Sequence, residues 1–231
     1  MGLVVPAVLP SSRADLDEKL SLLAKIPSVS RMQIDVVDGQ FASPASWPYS
    51  APVELSTMVA SGEKLPRLDV IEYEIDLMCI DAERAAGAWL ALGASRFTLH
   101  TENISDLPAL LATVRQRCGI VSIGLAISLA SDLSRIEPCL DNVEYVQCMG
   151  IAQIGRQGES FDEHVLEQVR ALRARHTEIA LQVDGGITFE HAKELVALGV
   201  TNLVIGSAIL RANDPSAAVA EFEALQSSYG V

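Results

Sequence analysis

A closed (β/α)8 barrel is the fold class this sequence predicts, and three observations predict it. Short apolar, β-branched runs alternate with helical patterns, giving eight strand-then-helix units along the chain. No low-complexity linker interrupts them, so residues 1–231 read as one barrel domain of ordinary barrel length. Near the end, Val183-Asp184-Gly185-Gly186-Ile187 and Val204-Ile205-Gly206-Ser207-Ala208 each close an apolar run with small residues just before a helical stretch. Such turns leave backbone N–H groups uncovered for a phosphate, and the last two strand-to-helix loops of a barrel commonly hold one.

The strands fall, in order, at 3–8, 30–36, 70–77, 95–100, 120–126, 142–149, 179–184 and 201–206. The first, Leu3 to Leu9, has no basic leader and reads as a strand rather than a targeting segment. Helical spacing of apolar residues predicts helices over 13–25, 82–92, 105–117, 161–175, 189–198 and 215–226. The patterns over 51–60 and 131–139, which would be the second and fifth helices, are weaker.

Composition narrows the function. Half the chain, 49%, is hydrophobic, as befits a parallel sheet covered on both sides, yet no run is long enough to span a membrane. A formal net charge of -13 repels nucleic-acid backbones and anionic membranes, while an anionic substrate stays compatible with a locally positive site. Cys79, Cys118, Cys139 and Cys148 show no CxxC spacing and sit in apolar surroundings, so they read as reduced core residues of a cytoplasmic protein. The four lysines, Lys19, Lys25, Lys64 and Lys193, all lie in helical or loop segments, which disfavours Schiff-base chemistry at the mouth. His164, His176 and His191 fall in or beside helices and read as surface residues.

Chemistry in such a barrel sits at the C-terminal strand ends. Read in order, those ends carry Ala7, Gln33 and Asp35, Glu74 and Asp76, His100, Ser128 beyond the fifth strand, Met149, Asp184, and the Gly206-Ser207 turn. Residues two apart on a strand share a face, so Gln33 with Asp35, and Glu74 with Asp76, can both look into the mouth. For Glu74 the favoured expectation is the opposite, a side chain facing a helix or solvent and paired with an arginine. Several carboxylates in one apolar cavity repel, and the remedies are a bound cation, protonation, or chemistry that uses a raised pKa. His100 reads as hydrogen-bonded and structural before it reads as catalytic.

The run Met32-Gln33-Ile34-Asp35-Val36-Val37-Asp38-Gly39-Gln40-Phe41 resembles the strand-two signature of the ribulose-phosphate 3-epimerases, H-x-D-x-M-D-G-x-F. Further matches follow in register: Asp76-Leu77-Met78 for H-L-M, His100-Thr101-Glu102 for H-x-E, Met149 opening the sixth loop, then Asp184-Gly185-Gly186 and Gly206-Ser207-Ala208. The resemblance implies a barrel of the ribulose-phosphate-binding type that interconverts ribulose 5-phosphate and xylulose 5-phosphate. It also implies acid and base roles for Asp35 and Asp184 on opposite faces of C3, with a divalent metal ion steadying the enediolate. Gly185, Gly186, Gly206 and Ser207 would then hold the phosphate.

Departures from the family pattern are as informative. Gln33 and Asp76 stand where the family's two metal-binding histidines belong, and Ala7 replaces an early serine. The remaining set of Gln33, Asp35, Asp76 and Asp184 is all oxygen, which favours Mg²⁺ or Mn²⁺ over Zn²⁺ or Fe²⁺ if a metal is bound, while the loss of both imidazoles favours a site with no catalytic metal. In the sixth loop, Gln153-Ile154-Gly155-Arg156-Gln157-Gly158 replaces a glycine-rich segment, and Arg156 offers a planar cation to a phosphate. Three readings stay open: a sugar-phosphate epimerase, a barrel enzyme of another class on a phosphorylated ligand, and a non-catalytic phosphosugar-binding protein. Exposed apolar helix faces are compatible with a homo-oligomer.

Overall fold

In a computed structural model of the chain, which describes residues 2–102 and 104–229, eight parallel strands close into a barrel. They are β1 (Val4–Val8), β2 (Arg31–Val37), β3 (Glu72–Met78), β4 (Arg96–His100), β5 (Ser122–Ile127), β6 (Tyr145–Met149), β7 (Ala180–Asp184) and β8 (Asn202–Ile205). Each pairs with the next, and β8 returns to β1 through Val4 opposite Leu203. Around them lie α1 (Arg13–Leu23), α2 (Pro52–Ser61), α3 (Ala82–Ala91), α4 (Leu107–Cys118), α5 (His164–Arg175), α6 (Phe189–Ala197), the short α7 (Ser207–Leu210) and α8 (Pro215–Tyr229).

The chain's local chemistry explains where these elements begin. Ser12 accepts a hydrogen bond from Asp15 N at the start of α1, Asp106 caps α4 through Ala109 N, and Thr188 forms a reciprocal capping box with His191 on α6. Between β5 and β6 no α-helix forms. The stretch expected as a helix over 131–139 is instead two 3₁₀ turns, Leu133–Arg135 and Glu137–Asn142. Pro138 lacks the N–H that a continuing helix needs, and Asp132 folds back onto Ser134 N to start a tighter turn. The helix expected from 161 begins at His164, because Phe161 is used to pack under the seventh loop.

Most of the apolar core lies between the strands and the helices, with Trp47 and Trp89 meeting edge to face at 5.9 Å. The barrel interior is different. Its polar residues follow the strand alternation: Gln33 and Asp35 on β2, Glu74 and Asp76 on β3, Thr98 and His100 on β4, Gln147 on β6, and Gln182 on β7, all buried. Register sets Asp35 beside Asp76 and Met149 beside Asp184, so the acidic residues reach the same C-terminal end. Gly124 on β5 makes room for this layer, since a Cβ there would lie 2.1 Å from the Tyr145 ring. No helix among the described residues is long and apolar enough to cross a membrane.

Candidate active site

Asp35, Asp76 and Asp184 meet at the C-terminal mouth, with one carboxylate oxygen of each within 4.8 Å of the others. They approach from different strands, and a glutamine joins two of them. Gln33 Nε2 donates to Asp35 Oδ1 and to Asp184 Oδ2, both at 2.9 Å. Gln147 Nε2 donates to Asp76 Oδ2 at 3.0 Å and to Asp184 Oδ2 at 3.3 Å. His100 Nε2 sits 2.8 Å from Asp76 Oδ1, and the ring's other nitrogen faces Glu102 at 3.7 Å.

Burial and mutual repulsion change how these groups titrate. Removal from water, then the neighbouring Asp76 charge, pushes the Asp35 carboxyl up to about 7. Asp184 is raised well above its ordinary value by burial and by the charges of Asp35 and Asp76. Each carboxylate therefore makes the other harder to ionise. Burial alone would discharge His100, but the Asp76 and Glu102 carboxylates outweigh it and raise the imidazole to about 10. His100 is therefore a buried cation beside the acidic group.

Next to the aspartates opens a cavity bordered by Asp35, Asp184, Ala7 and Met149. Gly185, Gly186, Gly206, Ser207 and Arg156 line the same cavity. Gly185 and Gly186 hold left-handed backbones at φ 111° and 67°. A Cβ on Gly186 would lie 2.4 Å from Phe161 N, and one on Gly206 would lie 2.8 Å from Gln157 Nε2. The sixth loop is thereby pressed onto the seventh and eighth. Gln157 Nε2 also donates to Ala7 O at 3.3 Å, which ties this loop to the end of β1. Arg156 is exposed at the rim and donates from Nε to Ser43 O at 3.2 Å.

The sequence-predicted residues thus fall into two adjoining groups: the acidic cluster with Gln33 and His100, and the glycine loops with Ser207 and Arg156. Two placements differ from expectation. Glu74 does pair with an arginine, Arg96, at 3.1 Å, but it lies fully buried inside the barrel rather than toward a helix or solvent. The alternation that put Asp76 in the mouth put Glu74 one layer below it. The Gln33 carbonyl, expected among the oxygen donors of a metal set, is turned away to accept from Gln182 Nε2 at 3.3 Å. Sequence reasoning passed over Gln147, Gln182, Thr98 and Tyr145. Their signal was available as polar residues at every second position of otherwise apolar strands.

The three aspartates could hold a metal ion, and their donors are hard oxygens of the kind Mg²⁺ and Mn²⁺ prefer. The oxygens Asp35 Oδ1, Asp76 Oδ2 and Asp184 Oδ2 already accept amide N–H groups, so a cation using them would displace those donors.

A closed parallel barrel with an acidic mouth beside glycine-rich loops defines the class of barrels that work at their C-terminal strand ends. Within that class, residues 3–210 match the model of the ribulose-phosphate 3 epimerase family, and the chain belongs to that family. A Mycobacterium leprae relative named ribulose-phosphate 3-epimerase is 29% identical over 224 residues, covering 94% of this chain and 92% of its own. The Escherichia coli K12 protein of the same name is 26% identical over 212 residues, covering 90% and 88%. Among solved structures, the fold is similar to 3-hexulose-6-phosphate synthase from Salmonella typhimurium, with a TM-score of 0.70, 15% identity and coverage of 99% and 100%. It is also similar to KGPDC from Streptococcus mutans, with a TM-score of 0.68, 14% identity and coverage of 99% of each chain.

Proposed function

We propose that this protein is a sugar-phosphate 3-epimerase that interconverts ribulose 5-phosphate and xylulose 5-phosphate by proton transfer through Asp35 and Asp184. The observation that carries the reading is the pair itself: two carboxyl groups from β2 and β7, joined by the Gln33 amide and bordering the cavity lined by the glycine loops. A C–H beside a ketone is a weak acid, so its removal needs a base, an opposed acid and positive charge near the developing oxyanion. Asp35, raised to about 7, is poised as a base near neutrality, while Asp184, which burial and the neighbouring carboxylates also raise, would hold the proton for the opposite face. In the reverse direction the roles exchange, because the pair returns from each turnover with the proton on the other member.

Gly185, Gly186, Gly206 and Ser207 would seat the phosphate by backbone N–H groups and a hydroxyl, with Arg156 at the rim adding charge. Met149 and Ala7 would pack against the carbon chain. Where a divalent ion is bound, Asp35, Asp76 and Asp184 would hold it, and it would supply positive charge to the enediolate oxygen. The chain's own donors to that region are the amides of Gln33 and Gln147 and the charged His100 beside Asp76. We read the chain as a single catalytic domain of the cytoplasm, where Cys79, Cys118, Cys139 and Cys148 stay as the free, buried thiols seen here.

The test is incubation of the purified, metal-stripped protein with ribulose 5-phosphate, with and without Mg²⁺ or Mn²⁺, followed by NMR. Appearance of xylulose 5-phosphate supports the reading. An unchanged substrate at enzyme concentrations far above catalytic, under every metal condition, rejects it.

A further inference from the structure

Below the aspartates lies a buried layer whose hydrogen bonds run in one direction. The Glu74 carboxylate can only accept: Arg96 Nε gives to Oε2 at 3.1 Å, Thr98 Oγ1 to Oε1 at 3.1 Å, and Gln182 Nε2 to Oε1 at 2.5 Å. This last bond decides which end of the Gln182 amide faces inward, because the flipped amide would set two acceptor oxygens against each other. With its nitrogen placed there, Gln182 has a second N–H to share between Gln147 Oε1 at 2.8 Å and Gln33 Oε1 at 3.3 Å. Both carbonyls then face a donor. The nitrogens at the other ends of those two amides are the ones that reach the aspartates.

A second observation points the same way. Gln182 Oε1 is buried with no hydrogen-bond partner. Leaving a buried acceptor unsatisfied is unfavourable, so an amide free to choose would place that oxygen on a donor. The Glu74 carboxylate on one side and the Gln147 and Gln33 carbonyls on the other together hold Gln182 in this orientation.

We propose that Glu74 is a positioning residue that sets the direction of a three-glutamine relay, so that Gln33 and Gln147 present N–H groups rather than carbonyls to Asp35, Asp76 and Asp184. The relay gives the acidic cluster its own donors and makes them compete with a divalent cation for the same carboxylate oxygens. Reversed, it would turn two amide carbonyls toward three carboxylates, an all-oxygen set that needs a cation. Neither the direction of the relay nor its effect on cation binding rests on the epimerase reading.

Glu74→Gln is the variant that frees the relay, because its amide keeps the size of the carboxylate and can donate to a flipped Gln182. Titration with Mn²⁺, read by the electron paramagnetic resonance of the free ion, should show binding about tenfold tighter or more in E74Q than in the parent protein, the effect of one hydrogen bond to a charged group. Unchanged Mn²⁺ affinity in an E74Q protein with the parent's circular dichroism and cooperative melting would overturn the proposal. Should E74Q not fold, neutron diffraction from deuterium-exchanged crystals of the unaltered protein decides the matter. Deuterated amide nitrogens of Gln182 on Glu74 and on the Gln147 carbonyl, together with those of Gln33 and Gln147 on the aspartates, support the relay, and a carbonyl oxygen of Gln182 on Glu74 or of either glutamine on the aspartates refutes it. Neither readout needs turnover, so a protein inactive on ribulose 5-phosphate with nitrogens on its aspartates would remove the functional reading and leave the relay standing.

Discussion

The two faces of a single strand in this barrel obey different rules. On β2, Met32, Ile34 and Val36 face outward into the apolar shell, while Gln33 and Asp35 face the axis and are held by directed hydrogen bonds. The same division recurs on β3, with Ile75 and Leu77 against Glu74 and Asp76, and on β7, with Leu181 and Val183 against Gln182 and Asp184. The outer face is stabilised by non-directional burial, so hydrophobic residues of suitable size suffice there. The inner face buries carboxylates, of which Asp35 and Asp184 are raised by burial at a cost to stability, and its glutamines are held by directed hydrogen bonds. Burial stabilises the outer face, and directed hydrogen bonds organise the inner one.

Neighbouring substitutions on β2 and β7 should break this comparison most sharply. Asp35→Asn and Asp184→Asn are each expected to lower epimerisation of ribulose 5-phosphate by about 1,000-fold or more, the scale of a lost acid–base group, with cooperative melting retained. Ile34→Ala, one residue from Asp35 and fully buried, should instead cost about 2–5 kcal/mol in urea unfolding and leave kcat per folded molecule within about twofold. A large loss of kcat in I34A with unchanged stability would contradict the division.

At the glycine loops the expected effect is smaller and falls on binding. Gly186→Ala places a Cβ against Phe161 N on a backbone at φ 67°, so the seventh loop must shift. KM for the phosphorylated substrate should rise about tenfold, as for one lost hydrogen bond to a charged group, with kcat changing less. Arg156→Ala, at the exposed rim, should raise KM only about two- to fivefold, the worth of an exposed ion pair, and less so at high salt.

The pH dependence sharpens the same contrast. Asp35 titrates at about 7 in the folded protein and at an ordinary, lower value when unfolded, so the native state binds the extra proton between those two values. Its contribution favours folding at low pH and is lost as pH rises toward 7. Asp35→Asn should therefore melt at a higher temperature than the parent protein at pH 8, and the difference should shrink toward pH 4. In the direction where Asp35 is the base, kcat/KM should climb through about pH 7 and then fall as Asp184 loses its proton.

Period-two and helical patterns made the barrel legible, because every strand shows a buried outer face and every loop a turn signal. Only the 131–139 segment failed as a helix, where Pro138 outweighs the apolar spacing. The acidic residues and glycine loops were legible because they sit at strand ends that topology brings together. Glu74 was misplaced, since alternation alone does not say that Arg96 and Gln182, distant in sequence, would receive it inside the barrel. The direction of the Gln33 amide was out of reach for the same reason. It depends on a carboxylate reached only through Gln182, and no spacing in the chain encodes that.

The measurement that bears most directly on the two-aspartate account is C3 hydron exchange in D2O, started separately from ribulose 5-phosphate and xylulose 5-phosphate, with the parent protein, Asp35→Asn and Asp184→Asn. Opposed bases predict that each variant loses interconversion yet still washes deuterium into one epimer, a different one for each variant, because the surviving carboxylate can reach only its own face of C3. Interconversion at the parent rate in either variant, or exchange from the same epimer in both, would contradict it.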